Sequence, residues 1–487
     1  MLPIYTRYLT PEHYGTLELL AMVVDIVAIL FGLRIGEAVF RFYYKFDSQK
    51  DRNEVMFTSL SLVVVLNAIG VLALLLGSSV VSKVTFGSTD AARLIALFSF
   101  TLILQSLTET VLTFVRAQQR PWLFVGFSTL KLAVQLSLNI VFVVQLQMAV
   151  EGVIYSNLVA GVVLAVPLGW YTLRQTGISF SIPKAKEITA FSLPLVLTSL
   201  ISFYMTFGDR YFLRVLGGGL DEVGVYSLGY RFGFLLSFLV GEPFFGIWNS
   251  EKYIVAREDD AQRRFRLAFM MLSAALVWVT VGISIYVYDV LRIMSDPSFW
   301  GAAIIVPIVM LGYIFQNWTG VANMGILLKE KTSEIAIGTA ISAVLITIGY
   351  FVLIPLWGGV GAAAATALAF GGRMVWIWWR AERLYPLHLP WARAVAMLGA
   401  GGIAWALSLL APAPLWQSVM VTTLIFAAFT LVLFTILLPP DARRLIFDGL
   451  RQGGLHAGML IGRRNPARAP KIAEAPALTT VQGPAQP

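Results

Sequence analysis

Long apolar runs separated by short charged connectors fill almost the entire chain. The runs lie at roughly 14–44, 54–76, 91–115, 121–145, 150–173, 187–213, 222–248, 265–288, 299–328, 333–355, 359–380, 392–411 and 415–438. A helix needs about 20 apolar residues to cross a bilayer. The pattern therefore predicts an all-α polytopic membrane protein with thirteen visible spans. Several spans contain a proline, which membrane helices tolerate where neighbouring helices satisfy the freed backbone groups.

Two short sequence patterns recur at an offset of about 210 residues. The segment around Gly15 can be aligned with the segment around Gly224. The stretch from Arg116 to Gly152 likewise resembles the stretch from Lys329 to Gly361. Weak internal repeats of this kind are typical of transporters. They predict two similar lobes, the second of which opens close to the segment 207–248.

Composition excludes several classes of function. Hydrophobic residues make up 58% of the chain and charged residues 13%, against about 25% charged residues in a soluble domain. Without cysteine there is no disulfide or thiol chemistry, and the three scattered histidines give no metal-ligand spacing. We predict no catalytic residue, metal or cofactor. The net charge of +9 is explained by basic connectors, so no nucleic-acid partner is expected.

Lysine and arginine are concentrated in alternate connectors, which predicts the orientation of the chain. The basic connectors lie near 45–52, 116–120, 174–186, 252–266, 329–331 and 380–393, and the basic tail 441–487 falls on the same side. This side is expected to be cytoplasmic. Thirteen spans then place Met1 outside. We therefore expect that the first helix is truncated and that a longer chain has fourteen spans; the alternative is a genuine thirteen-span protein.

The basic tail divides into two parts. Residues 441–450 mix apolar and basic side chains, which predicts an amphipathic helix on the inner membrane surface. Residues 465–487 are rich in alanine and proline and are expected to be disordered.

Four segments resemble a known family of membrane proteins: 2–15, 41–43, 209–213 and 223–231. They are similar to bacterial polysaccharide-biosynthesis membrane proteins, the O-antigen and capsule flippases of the multidrug/oligosaccharidyl-lipid/polysaccharide exporter superfamily. The resemblance implies two pseudo-symmetric six-helix lobes plus two C-terminal helices. On this chain the lobes would be residues 1–185 and 186–384, the extra helices 385–440 and the tail 441–487.

The resemblance also implies an activity and a location. Such proteins move undecaprenyl-diphosphate-linked oligosaccharide from the inner to the outer leaflet of the bacterial inner membrane. The expected partners are this substrate, the lipid bilayer and other polysaccharide-assembly membrane proteins.

Ionisable residues inside the apolar runs are the candidate site, because a charge in the bilayer core is costly unless it faces protein or water. Those expected near the midplane are Asp25, Glu109, Lys131, Arg231 and Arg373. A second group, Arg34, Glu37 and Arg41, has the spacing of one helical face, and Asp209 and Arg210 lie near an outer helix end. We expect the cations to line an aqueous cavity and bind diphosphate, since guanidinium groups bind phosphate in bidentate fashion.

Each of these charges also has a purely structural interpretation. Arg231 and Lys131 also fit static ion pairs with Asp25 or Glu109, which would not bind substrate. The group at 34–41 fits an intrahelical ion ladder, and Arg373 fits a side chain that reaches the inner interface. Asp209 and Arg210 fit an ion pair or a helix cap, and the acids fit either a coupling-ion site or partners of the arginines.

Two other functions compete with the flippase. A cation-coupled drug or small-molecule exporter of the same superfamily would depend on Asp25 and Glu109, and expression would then confer drug resistance. A membrane glycosyltransferase or polymerase would need a sizeable external loop with catalytic acids, whereas the outer connectors here are short.

Overall fold

The computed structural model describes residues 2–412 and 414–451, with side chains to Leu445 in the last helix. The predicted disordered segment 465–487 lies outside the described residues. Within them the chain is helical, as the apolar runs predict: α1 (Leu2–Tyr8), α2 (Pro11–Gly32), α3 (Ile35–Lys45), α4 (Gln49–Phe86), α5 (Ala92–Ala117), α6 (Pro121–Asn139), α7 (Ala149–Thr176), α8 (Ile182–Leu216), α9 (Leu220–Leu236), α10 (Glu242–Val255), α11 (Ala261–Met294), α12 (Ala302–Ala322), α13 (Met324–Leu328), α14 (Ser333–Leu384), α15 (Trp391–Ser408), α16 (Leu415–Val432) and α17 (Pro440–Arg451).

The membrane spans agree with the hydropathy pattern. In the described part of the chain, eleven continuous helical segments are long and apolar enough to cross a membrane. One of them, α14, has 52 residues, and its two halves pack against each other: the Ser342 hydroxyl donates to the Ala369 carbonyl oxygen at 3.0 Å. It bends at Gly358, where φ is 54° and ψ −129°, so it accounts for both predicted spans 333–355 and 359–380. The helix α15 matches the predicted span 392–411, so each of the thirteen predicted runs is largely helical in the described residues, and the protein is an all-α multi-pass membrane protein.

The first predicted span, 14–44, is not one continuous helix. Leu33 and Arg34 both adopt left-handed backbone conformations, with φ of 48° and 53°. Such conformations are costly for residues other than glycine and interrupt the hydrogen-bond ladder of a helix. The chain therefore breaks into α2 and α3. Arg34 lies at the break and precedes the helix that carries Glu37 and Arg41. It still pairs with Glu37, whereas Arg41 lies over the ring of Phe191.

The predicted span 222–248 contains a second irregularity. A π-helical turn, Ser237–Gly241, joins α9 to α10, and Pro243 follows it in the first turn of α10. Proline has no backbone N–H to donate and crowds the preceding turn. The change of helical pitch accommodates it, so Glu242 and Pro243 mark an altered turn between two helices.

The two sequence repeats meet at a reciprocal contact between α2 and α9. A methyl group added at Gly15 would lie 1.9 Å from the carbonyl oxygen of Leu220. One added at Gly224 would lie 2.0 Å from the carbonyl oxygen of Pro11. Each glycine thus faces the backbone four residues before the other, as at an interface between two-fold related helices. Only glycine permits this approach, so the repeat predicted from sequence corresponds to a local two-fold relation in the structure.

Helix α8 contacts both lobes. Its N-terminal half packs on α3 and α4: the amide of the N-cap residue Ser181 donates to Thr58 Oγ1 at 3.0 Å, and the rings of Phe42 and Phe191 lie 5.9 Å apart. Its C-terminal half packs on α14, where the rings of Phe212 and Tyr350 are 5.1 Å apart. The helix therefore leaves the N-terminal helices and joins the second lobe as it crosses the bilayer.

Candidate functional site

A cavity of about 640 Å³ lies between α8 and the N-terminal helices α2, α3 and α5. Its lining combines apolar side chains of α2 and α5 with five ionisable side chains: Asp25, Arg34, Glu37, Glu109 and Arg116. Phe203 and Phe207 form the wall on α8. A cavity of this size with charged walls can hold water and a polar group inside the bundle.

The two acids Asp25 and Glu109 face the cavity from different helices. Glu109 accepts a hydrogen bond from Gln105 Nε2 at 3.0 Å. In the part of the chain that the structure describes, no cationic side chain lies within ion-pair distance of either carboxylate. Nor does that part bring three His, Asp or Glu side chains together as a metal site. The acids are therefore open to an ion, a proton or a hydroxyl-bearing substrate.

Two guanidinium groups, those of Arg34 and Arg116, lie toward the end of the cavity nearest the basic connectors. Arg34 forms an ion pair with Glu37, and both side chains are about half exposed. Arg116 lies between the rings of Phe40 and Phe124, 5.4 Å from each centroid, and donates to Thr113 Oγ1 at 3.1 Å. The aromatic rings hold Arg116 in place while leaving its guanidinium plane able to accept an anion.

A smaller cavity of about 380 Å³ adjoins the first along α8. The two share Arg34 and Phe203 among their lining residues. The smaller one adds the hydroxyl side chains of Thr198, Ser202 and Thr206. Together they form a passage along α8 whose walls alternate between aromatic rings and hydroxyl groups.

A separate network of charges joins the two lobes through Glu18. Arg231 Nη2 lies 2.6 Å from Glu18 Oε1, and Arg210 Nε lies 3.6 Å from Glu18 Oε2. Arg210 also pairs with Asp209 at 2.7 Å, and Asp209 accepts a hydrogen bond from Tyr226. Arg210 is 2% exposed and Glu18 12%, whereas Arg231 is 45% exposed. The network neutralises its buried members, as burial in low dielectric requires.

This network changes the interpretation of Arg231. Its acidic partner is Glu18, not Asp25 or Glu109, and its guanidinium lies 5.4 Å over the ring of Tyr14. It does not line the 640 Å³ cavity. The pair joins α2 to α9 beside the contact of Gly15 with Gly224, so the two lobes meet there through backbone and charge together.

The remaining predicted residues are dispersed. Arg41 places its guanidinium 4.5 Å over the ring of Phe191. Lys131 is partly buried on α6 and has no hydrogen-bond or ion-pair partner among the described residues. Arg373, on the second half of α14, keeps a buried Nε without a hydrogen-bond partner. Of the six predicted substrate-binding cations, only Arg34 lines the cavity.

Sequence reasoning missed Glu18 and Arg116. Glu18 lies seven residues before Asp25 in the same apolar run. An acidic residue inside an apolar run is unusual, so this position could have identified Glu18 as a candidate. Arg116 was assigned to a basic connector, and nothing in the sequence shows that α5 continues to Ala117 with this side chain turned between two rings.

Comparison with protein families gives a match over the first half of the chain. The model of the family described as "Polysaccharide biosynthesis protein" matches residues 1–245, which is just over half of the sequence. A comparison with curated protein sequences finds no match.

Two solved structures share the fold. The lipid II flippase MurJ in an inward closed conformation superposes with a TM-score of 0.71 at 11% identity, over 90% of this chain and 96% of that one. An inward-facing multidrug resistance MATE family transporter of the MOP superfamily gives a TM-score of 0.61 at 16% identity, over 79% of this chain and 93% of that one. At these identities the likeness concerns the fold.

Proposed function

Since the chain belongs to the family of polysaccharide biosynthesis proteins, we propose that it flips undecaprenyl-diphosphate-linked oligosaccharide across the bacterial inner membrane. The observation that supports this most directly is the cavity between α8 and the N-terminal helices, with Arg34 and Arg116 toward its inner end. A lipid-linked sugar must carry its polar part across about 30 Å of hydrocarbon. A charged cavity inside the bundle provides an aqueous route for that part, while the lipid stays in the bilayer.

The cavity suits transient binding of a diphosphate. Arg34 and Arg116 supply two guanidinium groups, each able to donate paired hydrogen bonds to phosphate oxygens. Three carboxylates, Asp25, Glu37 and Glu109, line the same cavity. These carboxylates repel phosphate, which limits the affinity of the cavity for the diphosphate. They can also accept hydrogen bonds from sugar hydroxyls. The arrangement lets the substrate enter and leave.

The contact between α2 and α9 supports alternating access. On the outer side the lobes meet through Gly15 and Gly224 and through the pairs of Glu18 with Arg210 and Arg231. Release of the substrate outward requires that α2 and α9 separate. Glu18 then leaves its two arginines, and these cations become available to the diphosphate as it moves outward. Arg231, already 45% exposed, is the first of them that the substrate would meet.

Further features of the proposal follow from the family and the charge pattern. The basic connectors and tail favour a cytoplasmic C-terminus, and Asp441 of α17 pairs at 2.9 Å with Arg263 at the start of α11, within the basic connector 252–266. The proposed partners are the lipid-linked oligosaccharide and other membrane proteins of polysaccharide assembly. The protein moves its substrate without changing it chemically.

The test is restoration of surface polysaccharide in a strain that lacks this protein. We expect the double variant Arg34→Ala with Arg116→Ala to lose surface polysaccharide at unchanged protein level, and the double lysine variant to restore part of it. Arg174→Ala is the matched control, because Arg174 lies at the same side of the bundle but over Trp170, outside the cavity. Full polysaccharide in the double alanine variant would refute the proposal.

The original sequence candidates Arg231 and Lys131 are tested in the same assay. Alanine at either position is expected to abolish surface polysaccharide, for Arg231 because the diphosphate loses the first cation that it meets on its way outward. Normal polysaccharide in both variants would show that the route does not use them.

A cation-coupled exporter of small molecules is a second candidate. It is favoured by one observation: Asp25 and Glu109 face the cavity with no cationic partner in the described part of the chain. Asp25→Asn with Glu109→Gln separates the two candidates. An exporter would lose drug resistance conferred by expression, whereas a flippase that does not couple through these acids would keep its polysaccharide phenotype.

A further inference from the structure

A second cavity lies away from the proposed substrate route. It has a volume of about 570 Å³ and is enclosed by the ends of α11 and α15 and the starts of α12 and α16. These helix ends belong to the connectors poor in lysine and arginine, so they mark the outer side of the membrane. None of the residues that line the first cavity lines this one.

The floor of the second cavity carries one acid and one base. The side chain of Asp289 is 5% exposed, and the Ser418 hydroxyl lies 3.0 and 2.9 Å from its two oxygens. Arg292 Nη1 lies 3.9 Å from Asp289 Oδ1, at the limit of an ion pair. The guanidinium also lies 5.9 Å from the ring centroid of Tyr288 and 6.0 Å from that of Trp300.

This floor leaves hydrogen-bonding capacity on the carboxylate. An ionised carboxylate accepts about four hydrogen bonds, and the one Ser418 hydroxyl supplies a single proton. A buried acid near the membrane boundary is costly unless further donors reach it. Asp289 therefore suits a ligand that brings several N–H donors and a positive charge.

The rim of the cavity is apolar and exposed. Ile304 is 52% exposed and Leu409 66% exposed, and both line the cavity. On a membrane protein such side chains face acyl chains. A ligand with a polar end in the cavity and an apolar end at this rim is an amphiphile of the outer leaflet.

We propose that this cavity binds the head group of a phospholipid that carries a primary amine, as phosphatidylethanolamine does. The ammonium group donates to Asp289, and the phosphate lies against Arg292 with its rings Tyr288 and Trp300. The acyl chains leave past Ile304 and Leu409. A zwitterionic ligand matches the floor because its positive charge can lie beside Asp289 and its negative charge beside Arg292.

Other ligands fit this floor less well. A phospholipid with an anionic head group places its net negative charge beside Asp289 and offers no cation to it. A choline head group has the charge but no N–H donor. A water-soluble sugar gains nothing from an apolar rim that faces the bilayer.

Native mass spectrometry of the purified protein tests the proposal. The probes are phosphatidylethanolamine, phosphatidylcholine and phosphatidylglycerol with identical acyl chains, titrated in detergent. We expect phosphatidylethanolamine to bind about tenfold more tightly than either other lipid, the factor that one charge-assisted hydrogen bond supplies. Equal affinity for the three lipids overturns the proposal without any variant.

Variants locate the site. Asp289→Asn is expected to remove the preference for phosphatidylethanolamine, and Arg292→Gln to weaken phosphatidylethanolamine and phosphatidylcholine together. Asp90→Asn is the matched control, since Asp90 is an exposed acid of an outer connector in the other lobe. A preference that survives Asp289→Asn places the selective site elsewhere. Should Asp289→Asn fail to fold, the Arg292→Gln titration decides instead: a phosphatidylethanolamine affinity unchanged by Arg292→Gln would place the lipid elsewhere and overturn the proposal.

Discussion

The two lobes are built from equivalent helices but differ in what fills the space between those helices. In the first lobe, α2 presents Asp25 to an open cavity. With Gly15 aligned on Gly224, the equivalent position in the second lobe is Phe234. There the ring of Phe234 lies 5.5 Å from that of Tyr313 and 5.4 Å from that of Tyr230. A charged cavity in one lobe thus corresponds to packed aromatic rings in the other.

This difference indicates a division of labour between repeats of common design. Around this position the second lobe is densely packed: Trp318 is 1% exposed and contacts the rings of Phe269 and Trp391. Such packing makes a body that moves as a unit. The first lobe has a charged cavity where the second has packed rings. We therefore expect it to gain less stability from packing at this position. The two lobes also contribute different charges to the contact between α2 and α9: the first lobe supplies the acid Glu18 on α2, and the second supplies Arg210 on α8 and Arg231 on α9.

The largest effect is expected when Asp25 of the first lobe is replaced by phenylalanine, the residue at the equivalent position, 234, of the second lobe. Asp25→Phe places a ring in the cavity and removes a carboxylate. We expect transport, measured as surface polysaccharide, to fall to the level of a strain without the protein, at unchanged protein amount. Asp25→Asn is the control of equal volume and separates the need for space from the need for charge. Retained transport with phenylalanine would contradict the assignment of this cavity to the substrate.

The converse change hollows the second lobe. Trp318→Ala removes a buried ring, and large-to-small core substitutions of this kind cost about 3–5 kcal/mol. We expect a marked fall in the melting temperature of the purified protein in detergent. Trp416→Ala provides the control, because Trp416 is 68% exposed. Equal melting temperatures of the two variants would mean that the aromatic packing of the second lobe adds little stability.

The smallest effect is expected from Glu18→Gln, which tests the ion pairs at the contact between α2 and α9. Glu18→Gln removes the charge shared by Arg210 and Arg231. The chain has no cysteine, so Ser227→Cys adds a single thiol on α9. Its spacing places it on the helix face of Gly224 and Arg231. We expect labelling by an impermeant maleimide to become about tenfold faster in Glu18→Gln, the effect of ~1.4 kcal/mol on the opening equilibrium.

Glu222→Gln is the control for the labelling experiment. Glu222 is another acid on α9, but it accepts from the Gly359 amide within the second lobe. Unchanged labelling in Glu18→Gln would show that the ion pairs do not hold the outer side together.

The sequence predicts the helices better than it predicts the site. Hydropathy places the spans because each must cover the same hydrocarbon thickness. The break at Leu33 and Arg34 was not predictable, since neither residue favours a left-handed backbone. The repeat identified Gly15 and Gly224 because their spacing is preserved along the chain. Partners across helices, such as Glu18 with Arg231, depend on rotations and crossings of helices that no local pattern encodes.

The reciprocal contact of Gly15 and Gly224 has a consequence for how the chain can evolve. Since either glycine faces the main chain of the opposite helix, neither position tolerates even alanine while the helices touch, and a change at one cannot be offset by a smaller residue at the other. The two repeats can therefore diverge in how they fill the space around Asp25 and Phe234, whereas at the contact of Gly15 with Gly224 both must keep glycine.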